Sequence, residues 1–178
     1  MNDRGSRAEI FEHQFRELFQ NRFAGLQRYL AGLTGDPMLA DDVAQESFMK
    51  LYLRGAMPDN PAGWLAAVAN NLVRDGYRQT SRRLRLLAVG HHPADEHTAT
   101  DAGADARVLK EEQADQVRVA LGRLPIRDRQ MLLLRHEGYS YREIGLALDL
   151  NPASIGTLLV RATDAFGAVY RGLPDASH

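Results

Sequence analysis

Residues 124–162 read LPIRDRQMLLLRHEGYSYREIGLALDLNPASIGTLLVRA, and the residues that start and end helices in this stretch predict its structure. A first helix begins at Leu124-Pro125 and can end at Gly138, because glycine accepts the left-handed backbone of a C-terminal cap. Ser140 and Glu143 have the spacing of a capping box, in which the two side chains satisfy N–H groups at the start of the next helix. The sequence thus predicts a helix end and a helix start two residues apart.

The next helix is predicted to be short, over 141–148, and a turn at 149–151 precedes a longer helix over 152–168. This is the layout of a helix-turn-helix, whose second helix places its first residues in the major groove of DNA. The alternative is an ordinary helical hairpin within a bundle. The order and length of the helices allow both interpretations.

The longer helix carries little positive charge, because Arg161 is offset by Asp164. Attraction to DNA phosphates would therefore come from Arg142, from the positive end of the helix dipole near Ala153 and Ser154, or from arginines of the preceding helix. Those preceding arginines are Arg127, Arg129 and Arg135.

The composition of the 178-residue chain is that of an ordinary globular protein, with 44% apolar and 25% charged residues. No apolar run approaches the roughly 20 residues needed to cross a bilayer, and the polar start MNDRGSR lacks the apolar core of a secretory signal. We therefore expect a cytoplasmic protein. The chain has no cysteine, which excludes disulfide scaffolds, thiolate zinc fingers and cysteine nucleophiles.

The rest of the chain has helical apolar spacing and helix-start signals. Asp36-Pro37, Asn60-Pro61 and Asn151-Pro152 each place an N-cap side chain before a proline at the first helical position. Gly35 can end the first helix of the chain. A stretch rich in Ala, Asp, Thr and His without large apolar residues predicts a flexible linker. We expect an all-α protein with two small helical domains, residues 1–86 and 107–178, joined by a flexible linker at 87–106.

The helix that starts at Pro37 is predicted to have an acidic face. Its polar side carries Asp41, Asp42, Gln45 and Glu46, while Leu39, Val43 and Phe48 can point inward. A solvated, well-capped surface is one explanation, because the helix dipole stabilises acids near a helix N-terminus. Binding of a partner is the other.

The helix that starts at Pro61 is predicted to have a basic face, in a segment where residues 70–90 hold five arginines and one acid. Leu65, Val68 and Leu72 share an apolar face, and Trp64 and Tyr77 add aromatic rings. Opposite the apolar face lie Asn71, Arg74, Arg78, Arg82 and Arg85. Arginines interleaved with rings suit single-stranded nucleic acid, in which phosphates bind guanidinium groups and unpaired bases stack. The alternative is that Trp64 belongs to the core and the arginines only solubilise the protein.

Together these segments resemble the extracytoplasmic-function sigma factors over almost the whole chain. The resemblance rests on the order and spacing of four segments. These segments are residues 11–36, 40–52, 61–78 and 124–162. It implies a sigma factor, a non-enzymatic subunit that directs RNA polymerase to promoters and helps to open them. We accordingly expect no catalytic residue, no metal site and no cofactor.

In that family the acidic helix docks on the clamp helices of the largest polymerase subunit. The resemblance therefore implies a core polymerase-binding role for Asp41, Asp42, Gln45, Glu46 and Phe48. The following loop and helix resemble the element that captures unstacked bases of the non-template strand at the minus-ten motif. That position implies minus-ten DNA binding by Met57, Pro58, Asp59, Asn60, Trp64, Asn70, Asn71, Arg74 and Arg78.

The helix-turn-helix corresponds to the part of the family that binds the minus-thirty-five motif as duplex DNA. The resemblance implies base-edge contacts by the start of the last helix and phosphate contacts by two arginines. The residues concerned are Arg142, Ala153, Ser154, Gly156, Thr157 and Arg161. Family members often have lysine or arginine in the first turns of this helix, whereas this chain has Ser-Ile-Gly-Thr. Membership also implies an anti-sigma factor as a partner.

Two other functions are compatible with parts of the sequence. A helix-turn-helix regulator that acts without polymerase would explain residues 124–170, but it gives the acidic helix no task. A metalloenzyme would need a site from the histidines and acids of the predicted linker. These are His91, His92, Asp95, Glu96 and His97. A polar linker lacks the structure that fixes ligand geometry.

Overall fold

The computed structural model of the protein describes the backbone of residues 3–86 and 104–173 and the side chains of residues 7–76 and 113–173. Within these ranges the chain forms seven α-helices and no strand, which confirms the all-α prediction. The helices are α1 (Asp3–Thr34), α2 (Pro37–Arg54), α3 (Pro61–Leu86), α4 (Ala104–Gly122), α5 (Ile126–His136), α6 (Tyr141–Leu148) and α7 (Pro152–Arg171). Helix α4 begins inside the segment predicted as a linker, and the remainder of that segment, 87–103, lies outside the described residues.

The predicted N-caps are confirmed by hydrogen bonds at three helix starts. The Asp36 carboxylate accepts from the N–H groups of Met38 and Leu39, both at 3.0 Å. The Asn60 side-chain oxygen accepts from the Gly63 N–H, and the Asn151 oxygen accepts from the N–H of Ala153, each at 3.0 Å. Each bond satisfies a helix N–H that has no partner within its own helix, which explains why α2, α3 and α7 begin where they do.

The junction between α5 and α6 follows the predicted caps closely. Gly138 has a φ of 81°, and its N–H donates to the Arg135 carbonyl while the Tyr139 N–H donates to that of Leu134. These two bonds form a Schellman motif, which needs a residue in the left-handed region. The Ser140 hydroxyl then accepts from the Glu143 N–H at 3.3 Å, and the Glu143 carboxylate accepts from the Ser140 N–H at 2.6 Å. The capping box is therefore confirmed.

The turn between α6 and α7 brings the backbone very close to α6. The Leu150 N–H donates to the Gly145 carbonyl at 2.8 Å, and Asp149 adopts a left-handed φ of 55°. A Cβ at Gly145 would lie only 2.8 Å from the Leu150 carbonyl oxygen. Glycine is therefore required at this position of the helix-turn-helix. Helix α7 then runs to Arg171, three residues beyond its predicted end.

A continuous apolar core joins the two halves of the chain. In the first half, Leu26, Leu30 and Leu65 are almost fully buried where α1, α2 and α3 meet, and in the second half Leu134 and Ile155 are buried. Both groups belong to one cluster, because α3 packs on α6 and α1 packs on α5. The two predicted halves are therefore in contact, and the exact domain boundaries stay a prediction. None of the described helices is both long and apolar enough to cross a membrane.

Candidate functional site

The exposed face of α2 carries three of the five residues expected to bind polymerase. Asp42, Gln45 and Glu46 are exposed, and Asp41 beside them is half-buried. The two carboxylate oxygens of Asp41 accept from the side-chain amides of Gln27, at 2.6 Å, and Gln45, at 2.8 Å. These bonds hold Asp41 in place beside the exposed side chains. The prediction of an acidic polar face is confirmed.

Methionines extend this face, and the sequence analysis did not include them. Met38 is 81% exposed and Met49 is 56% exposed. With Asp42 and Gln45 between them, they follow one another at steps of four, three and four residues. Steps of three and four residues keep all four side chains on one side of the helix, so a single partner surface can contact them together. The same spacing is visible in the sequence and could have identified the two methionines.

Phe48 is placed differently from the four polar residues predicted with it. Its ring is only 2% exposed and packs edge-on against the rings of Phe19, at 5.1 Å, and Phe23, at 5.6 Å between centroids. In this structure the Phe48 ring is therefore too deeply buried to contact a partner directly. The inward position that its helical spacing allowed is the one observed, and its ring holds α2 against α1.

The loop before α3 lines a pocket of about 380 Å³ together with α1. The loop contributes Met57, Pro58 and Asp59, three of the residues expected to capture a base. Helix α1 contributes polar side chains that the sequence analysis did not nominate, which are Gln14, Glu17, Asn21 and Arg22. Only the packing of α1 on the loop brings these residues together, so local sequence patterns gave no signal for them.

Trp64 is neither a fully buried core residue nor a fully exposed ring on the basic face of α3. It is half-buried and packs on the core, while the guanidinium carbon of Arg54 lies 5.8 Å from its ring centroid. On the exposed side of α3, the Arg74 guanidinium donates to the Asn71 side-chain oxygen at 2.6 Å. Arg78, Arg82, Arg85 and Tyr77 lie outside the residues whose side chains are described. The basic face is therefore described only at its beginning.

The Asn70 side chain makes three hydrogen bonds to other helices of the protein. Its side-chain oxygen accepts from the Tyr29 hydroxyl at 2.6 Å and from the Gln130 amide at 3.2 Å. Its amide nitrogen donates to the Ala147 carbonyl at 3.1 Å. Burial raises the pKa of the Tyr29 phenol well above its usual range, so the donor to Asn70 stays protonated. In this structure the Asn70 amide binds protein on both sides.

The start of α7 is exposed at the positions predicted to meet duplex DNA. Ala153, Ser154, Thr157 and Arg161 are all exposed, and successive steps of three or four residues keep most of them on one side of the helix. Gly156 is half-buried beside the Tyr141 ring, which would lie 3.4 Å from a Cβ at this position. Arg142 is also exposed, on α6. The geometry is that of a helix-turn-helix with an accessible second helix.

The metal site considered from the sequence cannot be located in the structure. His91, His92, Asp95, Glu96 and His97 lie outside the described residues. In the part of the chain that is described, no group of three or more His, Cys, Asp or Glu side chains could hold a metal ion.

Comparisons with known proteins match both halves of the chain. The family model described as Sigma-70 region 2 matches residues 18–83, and the one described as Sigma-70, region 4 matches residues 114–164. The probable RNA polymerase sigma factor RfaY of Xanthomonas campestris is 35% identical over 140 residues, 73% of this chain and 34% of that protein. The chain thus spans about a third of the length of this relative.

Two further proteins resemble the chain over most of its length. The ECF RNA polymerase sigma factor SigM of Bacillus subtilis is 26% identical over 171 residues, which are 89% of this chain and 97% of that protein. The sigma factor RpoE of Bartonella quintana, solved in complex with the anti-sigma factor NepR, matches with a TM-score of 0.65. The match covers 89% of this chain and 97% of that one at 19% identity, so it supports the fold alone.

Proposed function

The chain belongs to the sigma-70 family, and we propose that it is a member of the extracytoplasmic-function group that binds core RNA polymerase and directs it to promoters. In this proposal the first half binds polymerase and the minus-ten motif, and the second half binds the minus-thirty-five motif. The family is regulatory and non-enzymatic, and we infer that this chain also acts without a catalytic residue or cofactor.

The exposed face of α2 supports polymerase binding more directly than any other feature. Asp42 and Glu46 provide negative charge between Met38 and Met49, which are exposed apolar residues. A partner surface that carries basic side chains beside apolar groups would complement this face in charge and in apolar contact. A regulator that binds only DNA gives this acidic face no task, because acidic side chains repel phosphates, and this observation therefore carries the proposal.

The pocket between α1 and the loop before α3 supports capture of an unpaired base. Met57 and Pro58 offer apolar surface, and Asn21 and Arg22 offer polar groups on the opposite wall. Unstacked bases are recognised by such combinations of apolar contact and hydrogen bonding to their edges. Arg54 and Arg74 lie on the same half of the protein and can hold the strand by its phosphates.

The exposed start of α7 supports binding of duplex DNA. Ser154 and Thr157 can offer hydroxyl groups to base edges, and Arg142 and Arg161 can bind phosphates. Because this helix carries few cationic side chains, we expect the second half alone to bind duplex DNA weakly. Polymerase holds both halves over one promoter, so each weak contact is strengthened by the effective concentration that the other provides.

Opening of the promoter then requires no energy source in this chain. Unstacking costs a few kcal/mol per base step, and stacking of captured bases recovers about 1 to 3 kcal/mol per base. We further propose that the protein acts in the cytoplasm, where its polymerase partner is found. Because the related RpoE was solved with an anti-sigma factor, we also propose an anti-sigma factor as an inhibitory partner.

In-vitro transcription tests the proposed function. Core polymerase and the purified protein are supplied with a library of genomic fragments from the source organism, and the RNA 5′ ends are sequenced. We expect start sites that are absent with core polymerase alone and that share one pair of upstream motifs. Start sites identical to those of core polymerase alone would refute the proposal. Duplex binding in that case would favour the regulator that acts without polymerase.

A further inference from the structure

The outer side of α7 carries a large apolar residue, Val160, that does not take part in the core. The inner side of the helix buries Ile155, Leu159 and Ala162, whereas Val160 is 62% exposed. A single exposed apolar residue is ordinary, but exposed apolar residues grouped within a surface mark an interaction site. The neighbours of Val160 decide which of the two it is.

Val160 lies in the row of residues proposed to face duplex DNA. Ala153, Thr157 and Val160 follow one another at steps of four and three residues, so their side chains project from the same side of α7, and all three are exposed. Seven residues of helix extend about 10 Å at roughly 1.5 Å per residue, which matches about three base pairs at roughly 3.4 Å each. This outer row is therefore long enough to meet several base edges in succession.

Exposed apolar surface continues from Val160 onto α6. The Tyr141 ring is 45% exposed and packs beside Gly156, where a Cβ would lie 3.4 Å from it. Gly156 precedes Val160 by four residues, about one helical turn, so the ring and the valine border the same side of α7. Val160 is therefore part of an exposed apolar area within the helix-turn-helix and is not an isolated surface residue.

The residue types at the start of α7 limit which bases this part of the helix can read. Direct readout in the major groove uses arginine or lysine for guanine, asparagine or glutamine for adenine, and acidic side chains for cytosine. Residues 152–160 read PASIGTLLV and include none of these types. The preceding Asn151 uses its side-chain oxygen to cap the helix, 3.0 Å from the Ala153 nitrogen. Hydroxyl hydrogen bonds and apolar contacts are the remaining means of base recognition.

Apolar contact in the major groove selects thymine, because the C5-methyl group of thymine is the apolar substituent among the base edges there. A valine side chain against that methyl group removes apolar surface of both from water. Against an adenine or a cytosine, the same valine would cover an amino group without offering it a hydrogen bond, and burial of an unpaired polar group is costly. Val160 can therefore favour thymine and disfavour other bases at the same position.

We propose that Val160 is a specificity-determining residue that contacts a thymine C5-methyl group in the minus-thirty-five duplex, and that the methyl group of Thr157 contacts a neighbouring one. The inference rests on the proposed function, because it takes α7 as the helix that enters the major groove. Ser154 and Arg161 flank the outer row, where they can bind a base edge and a phosphate. We accordingly expect thymine at one or more positions of the motif that face α7.

Replacement of single thymines by deoxyuridine tests this contact, because it removes the methyl group and keeps base pairing and every hydrogen-bonding group. In the strongest promoter found by in-vitro transcription, each thymine of the minus-thirty-five motif, on either strand, is replaced in turn. Core polymerase is combined with full-length wild type or Val160→Ala, and the Kd for the promoter duplex is measured. We expect at least one replacement to raise the wild-type Kd by about threefold or more and to leave that of Val160→Ala nearly unchanged.

Val119→Ala is the matched control, because Val119 is 46% exposed on α4, outside the helix-turn-helix. This variant should keep the wild-type Kd and the full sensitivity to deoxyuridine. Thr157→Ser removes a methyl group and keeps the hydroxyl, so it should abolish the sensitivity at a different thymine. Thermal unfolding checks the fold of each variant, and Val160→Ala should melt close to wild type, because alanine favours an exposed helix position more than valine does.

Two outcomes would overturn the role of Val160 and leave the proposed function standing. One is a motif that has no thymine, or in which no replacement changes the wild-type Kd. The other is a replacement that weakens wild type and Val160→Ala equally, because the methyl group then acts through DNA shape and not through this side chain. A wild-type complex that binds the promoter no more tightly than core polymerase alone would instead refute the proposed function, and the role of Val160 with it.

Discussion

At the scale of single residues, helix caps depend on neighbours in the sequence, whereas contacts between the two halves of the chain depend on distant residues. The N-caps at Asp36, Asn60 and Asn151 were predictable, because each cap depends on residues only a few positions apart. The hydrogen bonds of Asn70 were not. They depend on residues distant in the sequence, since Asn70 meets Tyr29 on α1 and Ala147 on α6. Patterns within one helix do not report such partners.

Gly145 is the residue at which a methyl group should do most damage to the helix-turn-helix. In Gly145→Ala, the new Cβ would lie 2.8 Å from the Leu150 carbonyl oxygen, so the turn must shift. We expect a loss of about 1 to 3 kcal/mol in the free energy of unfolding, measured by urea denaturation. Gly76→Ala is the matched control, because nothing lies within 4 Å of its Cβ, and it should stabilise the protein by about 0.5 to 1 kcal/mol. Equal effects of the two substitutions would contradict this account of the turn.

Buried tyrosines predict a loss of stability at alkaline pH. Burial raises the pKa of Tyr139 to about 12 and that of Tyr29 still further. The unfolded chain releases these protons near its ordinary pKa of about 10, so unfolding becomes more favourable as the pH rises above that value. Lysine interferes little, because the chain has only Lys50 and Lys110. Urea unfolding between pH 9 and 11 should show this decline, with a smaller slope in Tyr29→Phe. An identical slope in wild type and variant would show that Tyr29 does not contribute.

At the scale of the helices, capping residues and apolar spacing predicted most helix boundaries, but they predicted the exposed helix faces only in part. The limits of α6 and the start of α7 agree with the predictions, while α7 runs to Arg171. The acidic face of α2 was predictable from helical spacing, but its apolar ends at Met38 and Met49 were not recognised. The pocket beside the 57–61 loop was not predictable, because one of its walls belongs to α1.

Loss of the capping box should destabilise α6 and leave the exposed side chains at the start of α7 unchanged. Ser140→Ala removes the oxygen that accepts from the Glu143 N–H, and we expect a loss of about 1 kcal/mol in the free energy of unfolding. Thermal unfolding followed by circular dichroism measures it. Ser154→Ala is the matched control, since Ser154 is exposed at the start of α7 and is expected to affect duplex DNA binding more than stability. A lower melting temperature for Ser154→Ala than for Ser140→Ala would contradict the prediction.

At the scale of the whole molecule, the all-α class and the order of the two halves were predictable, but their mutual packing was not. The sequence analysis considered each half alone, and residues that join them, such as Arg28 and Glu137, have no unusual local pattern. Their pairing follows from the way α1 meets the end of α5. The resulting molecule exposes its proposed polymerase-binding face and covers part of its proposed strand-binding face.

The central claim, that the exposed acidic face of α2 binds core polymerase, is tested most directly by charge reversal. Asp42→Lys/Glu46→Lys is compared with Glu9→Lys/Asp164→Lys, which makes the same change in net charge at exposed positions outside this face. Affinity for core polymerase is measured by fluorescence anisotropy of the labelled protein. We expect the α2 variant to lose at least about 2 kcal/mol of binding free energy, roughly 30-fold in Kd, while the control stays close to wild type. Wild-type affinity in the α2 variant would contradict the claim.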